Sequence, residues 1–259
     1  MSDSILFQIK EKTAVITLNR PKVFNSFNRE MALALQARLD ECAQNPGIRA
    51  VLLTGAGKAF CAGQDLAEAI AEDGPGLETI LREHYNPIIH RIRHLEKPVI
   101  GAVNGVAAGA GANIAIACDV TVAAQSASFI QAFSKIGLVP DSGGTFFLPR
   151  LIGWQRASAL MMLGEKVSAT DAANMGMIFR AFPDETFADQ ALELAHRLSN
   201  MPTQGLALTK KALNESLTNG LSEQLTVELE LQVKAGQTHD YREGVQAFLE
   251  KRKPVFKGA

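Results

Sequence analysis

Cysteine is scarce: Cys42, Cys61 and Cys118 are the only three in 259 residues. The number is odd, the spacings are wide and no C-x-x-C pair occurs, so neither a disulfide framework nor a cysteine zinc site is available. They read as reduced thiols, which places the expected location in the cytoplasm. Excess charge of either sign is missing too, with 26 Lys and Arg against 27 Asp and Glu. A chain so balanced has no electrostatic footprint for nucleic acid. The start, Met1-Ser2-Asp3-Ser4-Ile5-Leu6-Phe7, lacks the basic segment and long apolar core of a secretory leader, and none is expected. Long hydrophobic runs are absent as well. Val99 to Val120 comes nearest, but Gly101, Asn104, Gly105, Gly109, Gly111 and Asn113 interrupt it. It reads as a buried strand, turn and helix, and no membrane span is expected.

Several catalytic signatures fail on inspection. Gly55-Ala56-Gly57-Lys58 is followed by Ala59, and Leu52 stands where the first glycine of a phosphate loop belongs. Gly109-x-Gly111 has no third glycine at position 114, so the dinucleotide fingerprint is incomplete. Pro140 replaces the first glycine of a nucleophile elbow around Ser142. His90 and His94 share a helical face with Arg91 and Arg93 beside them, which reads as a solvated basic face, so no metal site is expected. His84, His196 and His239 stand singly in polar segments and receive no role.

What the chain does have is an ordinary globular composition, 47% apolar and 20% charged, and enough length for one large domain or a domain with a smaller appendage. Ile5–Ile9 and Ala14–Leu18 form a hairpin pattern. Asn28 offers an N-cap to a helix over Arg29–Gln44, with Met31, Leu35, Leu39 and Cys42 at helical spacing. Ala50–Leu53, Pro98–Val103 and Val120–Ala123 read as strands, and Leu66–Ala71, Leu77–Leu95 and Ala108–Ala117 as helices. Gly55 to Gly63 reads as turn and Glu72–Gly76 as a mobile loop. After Leu148 the pattern is helical almost to the end. The expectation is a layered α/β core over residues 1–200 and a helical C-terminal region over 201–259.

Two glycine-rich turns, Phe60-Cys61-Ala62-Gly63-Gln64-Asp65-Leu66 and Asn104 to Asn113, run into helices. Backbone N–H groups at a helix start lack intrahelical acceptors and carry the positive end of the dipole. The amides of Gln64 and Ala110 could therefore face one anionic oxygen, although such turns also serve structure alone. Most acids lie in polar contexts; Asp65 is placed to cap a helix and Asp119 to turn the chain. Asp141 differs, because Ile136, Leu138, Val139, Phe146 and Phe147 surround it in a run that reads as buried. Two readings stay open for it: an N-cap or turn residue before Ser142-Gly143-Gly144, or an acid placed for proton transfer.

Ile16-Thr17-Leu18-Asn19-Arg20-Pro21, Phe60 to Leu66, Pro98 to Asp119, Gly137 to Leu151 and Tyr241 to Pro254, in this order, resemble the crotonase (enoyl-CoA hydratase/isomerase) superfamily. The resemblance implies an α/β spiral of repeated ββα units with a helical C-terminal trimerisation region, assembling as a homotrimer or homohexamer. It implies an acyl-CoA thioester as substrate, with coenzyme A part of that substrate and no separate cofactor. It assigns the thioester oxygen to the Gln64 and Ala110 N–H groups, and the CoA path to Lys22, Val23, Ala62, Gln64, Asp65 and Leu66. Phe248 and Lys251 match positions that reach CoA, often from a neighbouring subunit.

Hydratases of this superfamily use two glutamates, and at the matching positions this chain has Asn113 and Phe133. Asp141 matches a position where its isomerases carry an acid. Tyr85-Asn86-Pro87, Ala132 to Thr145 and Asp240 to Gly244 are similar to the isomerase branch of bacterial phenylacetate degradation. That branch implies rearrangement of an epoxide-bearing aromatic thioester, movement of an enoyl double bond, or both. Within the resemblance, the alternatives are hydratase-like activity, aryl-CoA dehalogenation with Asp141 as nucleophile, and a non-catalytic acyl-CoA or RNA-binding relative. Phe133 stands where the dehalogenases carry tryptophan.

Overall fold

The computed structural model describes residues 4–259. A hairpin of β1 (Ile5–Lys10) and β2 (Thr13–Leu18) opens the chain. Helix α1 (Arg29–Gln44) follows, capped by the Asn28 side chain, which accepts from the Met31 amide. It buries Met31, Leu35, Leu39 and Cys42, the face expected from their spacing. Strands β3 (Ala50–Gly55) and β4 (Ala59–Cys61) lead to α2 (Leu66–Ala69) and α3 (Gly76–Thr79). A π-helical segment, Ile80–Tyr85, then runs into α4 (Asn86–His94).

The next unit repeats the plan with β5 (Val99–Val103), β6 (Val106–Ala108) and α5 (Ala110–Ala117). Strands β7 (Val120–Ala124) and β8 (Ser128–Ile130) follow, then α6 (Gly144–Ile152) and α7 (Trp154–Leu163). Strand β9 (Lys166–Ser168), α8 (Ala169–Asn174), β10 (Arg180–Phe182) and α9 (Asp184–Ser199) complete the core.

In each of the pairs β3/β4, β5/β6 and β7/β8, the first strand joins a six-stranded sheet, order β1-β2-β3-β5-β7-β10, and the second joins a four-stranded sheet, order β4-β6-β8-β9. The repeated handover from large sheet to small sheet to helix is the ββα spiral. From β2 to β10 the large sheet is parallel, with Leu52 opposite Ile100 and Gly101 opposite Thr121. Strand β5 is buried at every residue and β3 over Ala50–Leu53, as expected of parallel strands covered on both faces. The three-residue strand β4 lies in the Gly55 to Gly63 stretch, whose composition reads as turn.

The C-terminal region is α10 (Thr203–Ser216), α11 (Leu221–Gly236) and α12 (His239–Leu249). The expected division at residue 200 falls in the turn between α9 and α10. Asp119 does more than turn the chain: it bonds the Val99 amide at 2.8 Å and pairs with Lys210 of α10 at 2.7 Å. Arg49, buried, donates to Thr203 Oγ1 at 2.7 Å and to the Phe256 carbonyl at 2.9 Å. Among the described residues no helix is long and apolar enough to cross a membrane, and no cluster of His, Cys, Asp and Glu could hold a metal ion.

Candidate active site

The two glycine-rich turns meet where β4 and β6 lie side by side. Gly63 has φ +95° and Gly109 φ +53°, a backbone region that disfavours side chains. A Cβ at Gly63 would stand 3.1 Å from the Ala108 carbonyl oxygen and 3.7 Å from the Ala110 nitrogen, so the turns are in near contact. Ala110 is the first residue of α5, and its N–H has no intrahelical acceptor. Gln64 reaches a similar condition by another route than the one expected. Helix α2 begins only at Leu66, with Asp65 as its cap, so the Gln64 amide is not a helix-start donor. Instead Gln64 forms an isolated parallel bridge with Phe27. The Phe27 amide bonds the Gly63 carbonyl at 2.7 Å and the Asp65 amide bonds the Phe27 carbonyl at 2.8 Å, which turns the Gln64 N–H to the opposite side.

Both residues line a cavity of about 230 Å³ together with Asp141. Its walls are apolar: Leu66, Leu77, Ile80 and Leu81 on one side, Phe133, Ile136 and Leu138 on the other. The π-helical segment contributes Ile80, Leu81 and Tyr85, an irregularity that recurs at functional sites. Asp141 is the one carboxylate in the lining. Burial raises its carboxyl from 3.8 to about 6, opposed by the Ser142 hydroxyl, which donates to Oδ1 at 2.8 Å. Such an acid changes protonation state near neutrality. A larger groove of about 540 Å³ between α10 and α11 carries Glu228 as its single ionisable side chain.

The N-cap reading of Asp141 is overturned. Helix α6 begins at Gly144 with Gly143 as its N-cap and no side-chain cap bond. The Asp141 carbonyl accepts from the Gly144 amide at 2.8 Å, so the backbone makes a turn while the carboxyl is left to the cavity. The flanking run is also less buried than expected, with Ile136 54% and Val139 78% exposed. Ile136 lines the cavity, and Val139 stands on the surface.

Of the residues assigned to the CoA path, Ala62, Gln64 and Leu66 line the cavity. Asp65 turns aside, capping α2 and pairing with Arg20 at 2.9 Å. Lys22 and Val23 form an exposed 3₁₀ turn outside the lining, tied to the site where the Ala62 amide bonds the Phe24 carbonyl at 3.0 Å. Phe248 and Lys251 lie at the end of α12, away from this cavity within one chain, and Phe248 is 82% exposed.

Sequence reasoning missed three side chains. Tyr85 is fully buried and donates to Gln64 Oε1 at 2.9 Å; burial, then Cys61 and Asp141, hold its phenol well above the ordinary range. His84, assigned to a polar segment, is buried, and burial lowers its pKa. Gln131, also buried, bonds Asn113, whose own amide reaches the Asp141 carbonyl. The pattern Tyr85-Asn86-Pro87 was a signal for the first of them.

Residues 8–259 match the enoyl-CoA hydratase/isomerase family. The chain belongs to that family. Among its curated relatives, "1,2-epoxyphenylacetyl-CoA isomerase" of Escherichia coli K12 is 48% identical over the full length of both chains. A Rhodobacter capsulatus protein named "Probable enoyl-CoA hydratase" is 49% identical over 98% of each. The fold agrees with the crystal structure of enoyl-CoA hydratase from Bacillus anthracis, at TM-score 0.92 and 34% identity, covering 99% of this chain and all of that one. The family therefore brings an enzyme fold to this cavity, and its names divide between isomerase and hydratase.

Proposed function

We propose that the protein is an isomerase of acyl-CoA thioesters. In this reading the thioester oxygen sits between the Gln64 and Ala110 N–H groups, and Asp141 removes a proton from one carbon and returns it to another. The electron pair left by the first transfer is held as an enolate on the thioester oxygen, where one well-placed donor is worth ~3–4 kcal/mol. No electrons are gained or lost overall, so the step calls for no redox cofactor. The observation that carries the reading is the solitude of Asp141, the one carboxylate lining the cavity, with a pKa raised to about 6. A single acid that titrates near neutrality suits both removal and return of the proton.

The apolar walls suit an aromatic ring or a short enoyl chain. With the similarity to the E. coli enzyme, they support a 1,2-epoxyphenylacetyl or an enoyl thioester as the acyl group. The CoA moiety would leave past Leu66 and Ala62 toward Lys22 and Val23, with Phe248 and Lys251 supplied by a neighbouring subunit of a homotrimer or homohexamer. Leu221, Leu225, Leu229 and Val233 form an exposed stripe along α11 that supports such an assembly. The three cysteines are free and buried, which supports a reducing, cytoplasmic setting.

Hydration is the second reading, favoured by the R. capsulatus relative's name. Against it stands Asn113, which is buried and bonded to the Asp141 carbonyl, and Phe133, which faces the cavity as a hydrocarbon. The test is a panel of acyl-CoA thioesters incubated with the protein in deuterated water and analysed by mass spectrometry. Isomerisation gives products of unchanged composition with label at exchanged carbon positions. Products gained by one water would replace it with hydration.

A further inference from the structure

Three unfavourable features converge on the backbone that carries Asp141. Ser142, buried, holds φ +51° although it is not glycine. Asn113 lies fully buried on α5, in a helix otherwise made of alanine, glycine and isoleucine. Gln131 is buried as well, and its Oε1 finds no partner among the described residues. Local strain and unpaired polar atoms persist only where the surrounding structure over-determines them, and they cluster at functional sites.

The network has one consistent orientation. The Asp141 carbonyl can only accept, so Asn113 presents Nδ2 to it, at 2.8 Å. Asn113 Oδ1 must then accept, and Gln131 Nε2 donates to it at 2.8 Å. That chain of assignments leaves Gln131 Oε1 as the orphan. Gly144 is pressed against the same amide, since a Cβ there would collide with Asn113 Nδ2 and Cγ. Asn113 is also the fourth residue of α5, one turn beyond Ala110 on the same face. A single helical turn thus carries an N–H for the thioester oxygen and the side chain that grips the acid's backbone.

We infer that Asn113 and Gln131 are positioning residues, a buried clamp that fixes Asp141 at a set distance from the Ala110 N–H. The inference rests on the proposed proton transfer by Asp141. A misplacement of about 1 Å is enough to cost on the order of a hundredfold in rate. The clamp therefore acts on turnover more than on substrate affinity or stability. It also gives position 113 a task that a glutamate would not perform, because an ionised carboxylate cannot donate to the Asp141 carbonyl.

The test compares Asn113→Leu, Gln131→Met, the double variant and Asp141→Asn, using the thioester from the panel that the wild-type protein turns over. Expected are a kcat lowered roughly 10- to 100-fold in Asn113→Leu, with KM changed less than threefold. Gln131→Met removes the orphan acceptor along with one bond and keeps the volume. It exchanges that orphan for another, Asn113 Oδ1, so it is expected to unfold within a few degrees of the wild-type midpoint while kcat still falls, an outcome a purely structural role would not give. The double variant should be no slower than Asn113→Leu alone, since both break one linkage. Unchanged kcat in Gln131→Met, or additive losses in the double variant, would overturn the clamp. Should Asn113→Leu fail to fold, the Gln131→Met result decides alone. Full activity in Asp141→Asn would instead overturn the proton-transfer reading, so the two failures are told apart.

Discussion

Asp141→Asn should make the protein more stable while removing its chemistry. The carboxyl titrates at about 6 in the folded chain against an ordinary 3.8, because burial penalises its charged form. A difference of that size corresponds to about 3 kcal/mol of cost whenever the group is ionised in the folded state. The folded protein holds this proton where the unfolded chain has lost it, so the penalty is absent below about pH 3.8. It grows as the pH rises through the window up to about 6, and it is fully present above that. Asparagine has the same shape, carries no charge and keeps an oxygen for the Ser142 hydroxyl that now bonds Oδ1 at 2.8 Å. Thermal unfolding of both proteins at matched concentration should show the variant higher at pH 7.5 by several degrees, at roughly 2–4 °C per kcal/mol for a chain of this size. The gap should close toward pH 4. A variant less stable than wild type at pH 7.5, or a gap independent of pH, would refute the claim that burial raises this acid.

The same ionisation governs rate: kcat/KM for isomerisation should fall tenfold per pH unit below about 6, and a steady-state pH profile with no break between pH 5 and 7 would count against a base with that pKa. Ala110→Pro removes one N–H at the first position of α5, where proline is tolerated, so the fold should survive while kcat drops roughly 100- to 1,000-fold in steady-state assays. Lys210→Met strips Asp119 of its partner at 2.7 Å but leaves it Arg93 at 3.4 Å and the Val99 amide. A loss of about 3 kcal/mol by urea unfolding is expected, and a neutral result would show that the buried pair does not hold α10 to the core.

The fold was largely readable where one element carries its own period and caps. Met31, Leu35, Leu39 and Cys42 define one face of α1, and Asn28 starts it. The uniformly apolar β5 announces a strand buried on both faces. Reading failed where distant segments decide. Gln64 owes the direction of its N–H to Phe27, an edge pairing that no local pattern encodes. The π-helical turn from Ile80 to Tyr85 breaks the helical period, so the cavity wall it builds from Ile80, Leu81 and Tyr85 is invisible as a face. Ile136 and Val139 look like core by composition, yet exposed apolar side chains are common beside a ligand cavity or an uncovered surface.

The candidate site divides in the same way. Asp141 stood out because a lone acid among apolar neighbours is costly, and the structure gives the cavity one carboxylate and no second. The two glycine turns do lie side by side, Gly63 against Ala108 and Ala110, and of the two amides only that of Ala110 stands at a helix start. Asn113 was legible as the absence of a glutamate; that its amide grips the Asp141 carbonyl depends on how α5 and the loop before α6 pack.

The most direct test of the proton-transfer account is deuterium exchange into an acyl-CoA substrate, wild type against Asp141→Asn, followed by mass spectrometry in deuterated water. The account predicts label in substrate and rearranged product with the wild-type protein. It predicts no label with the variant, although the variant still binds the thioester. Label incorporated at the wild-type rate by Asp141→Asn would contradict it.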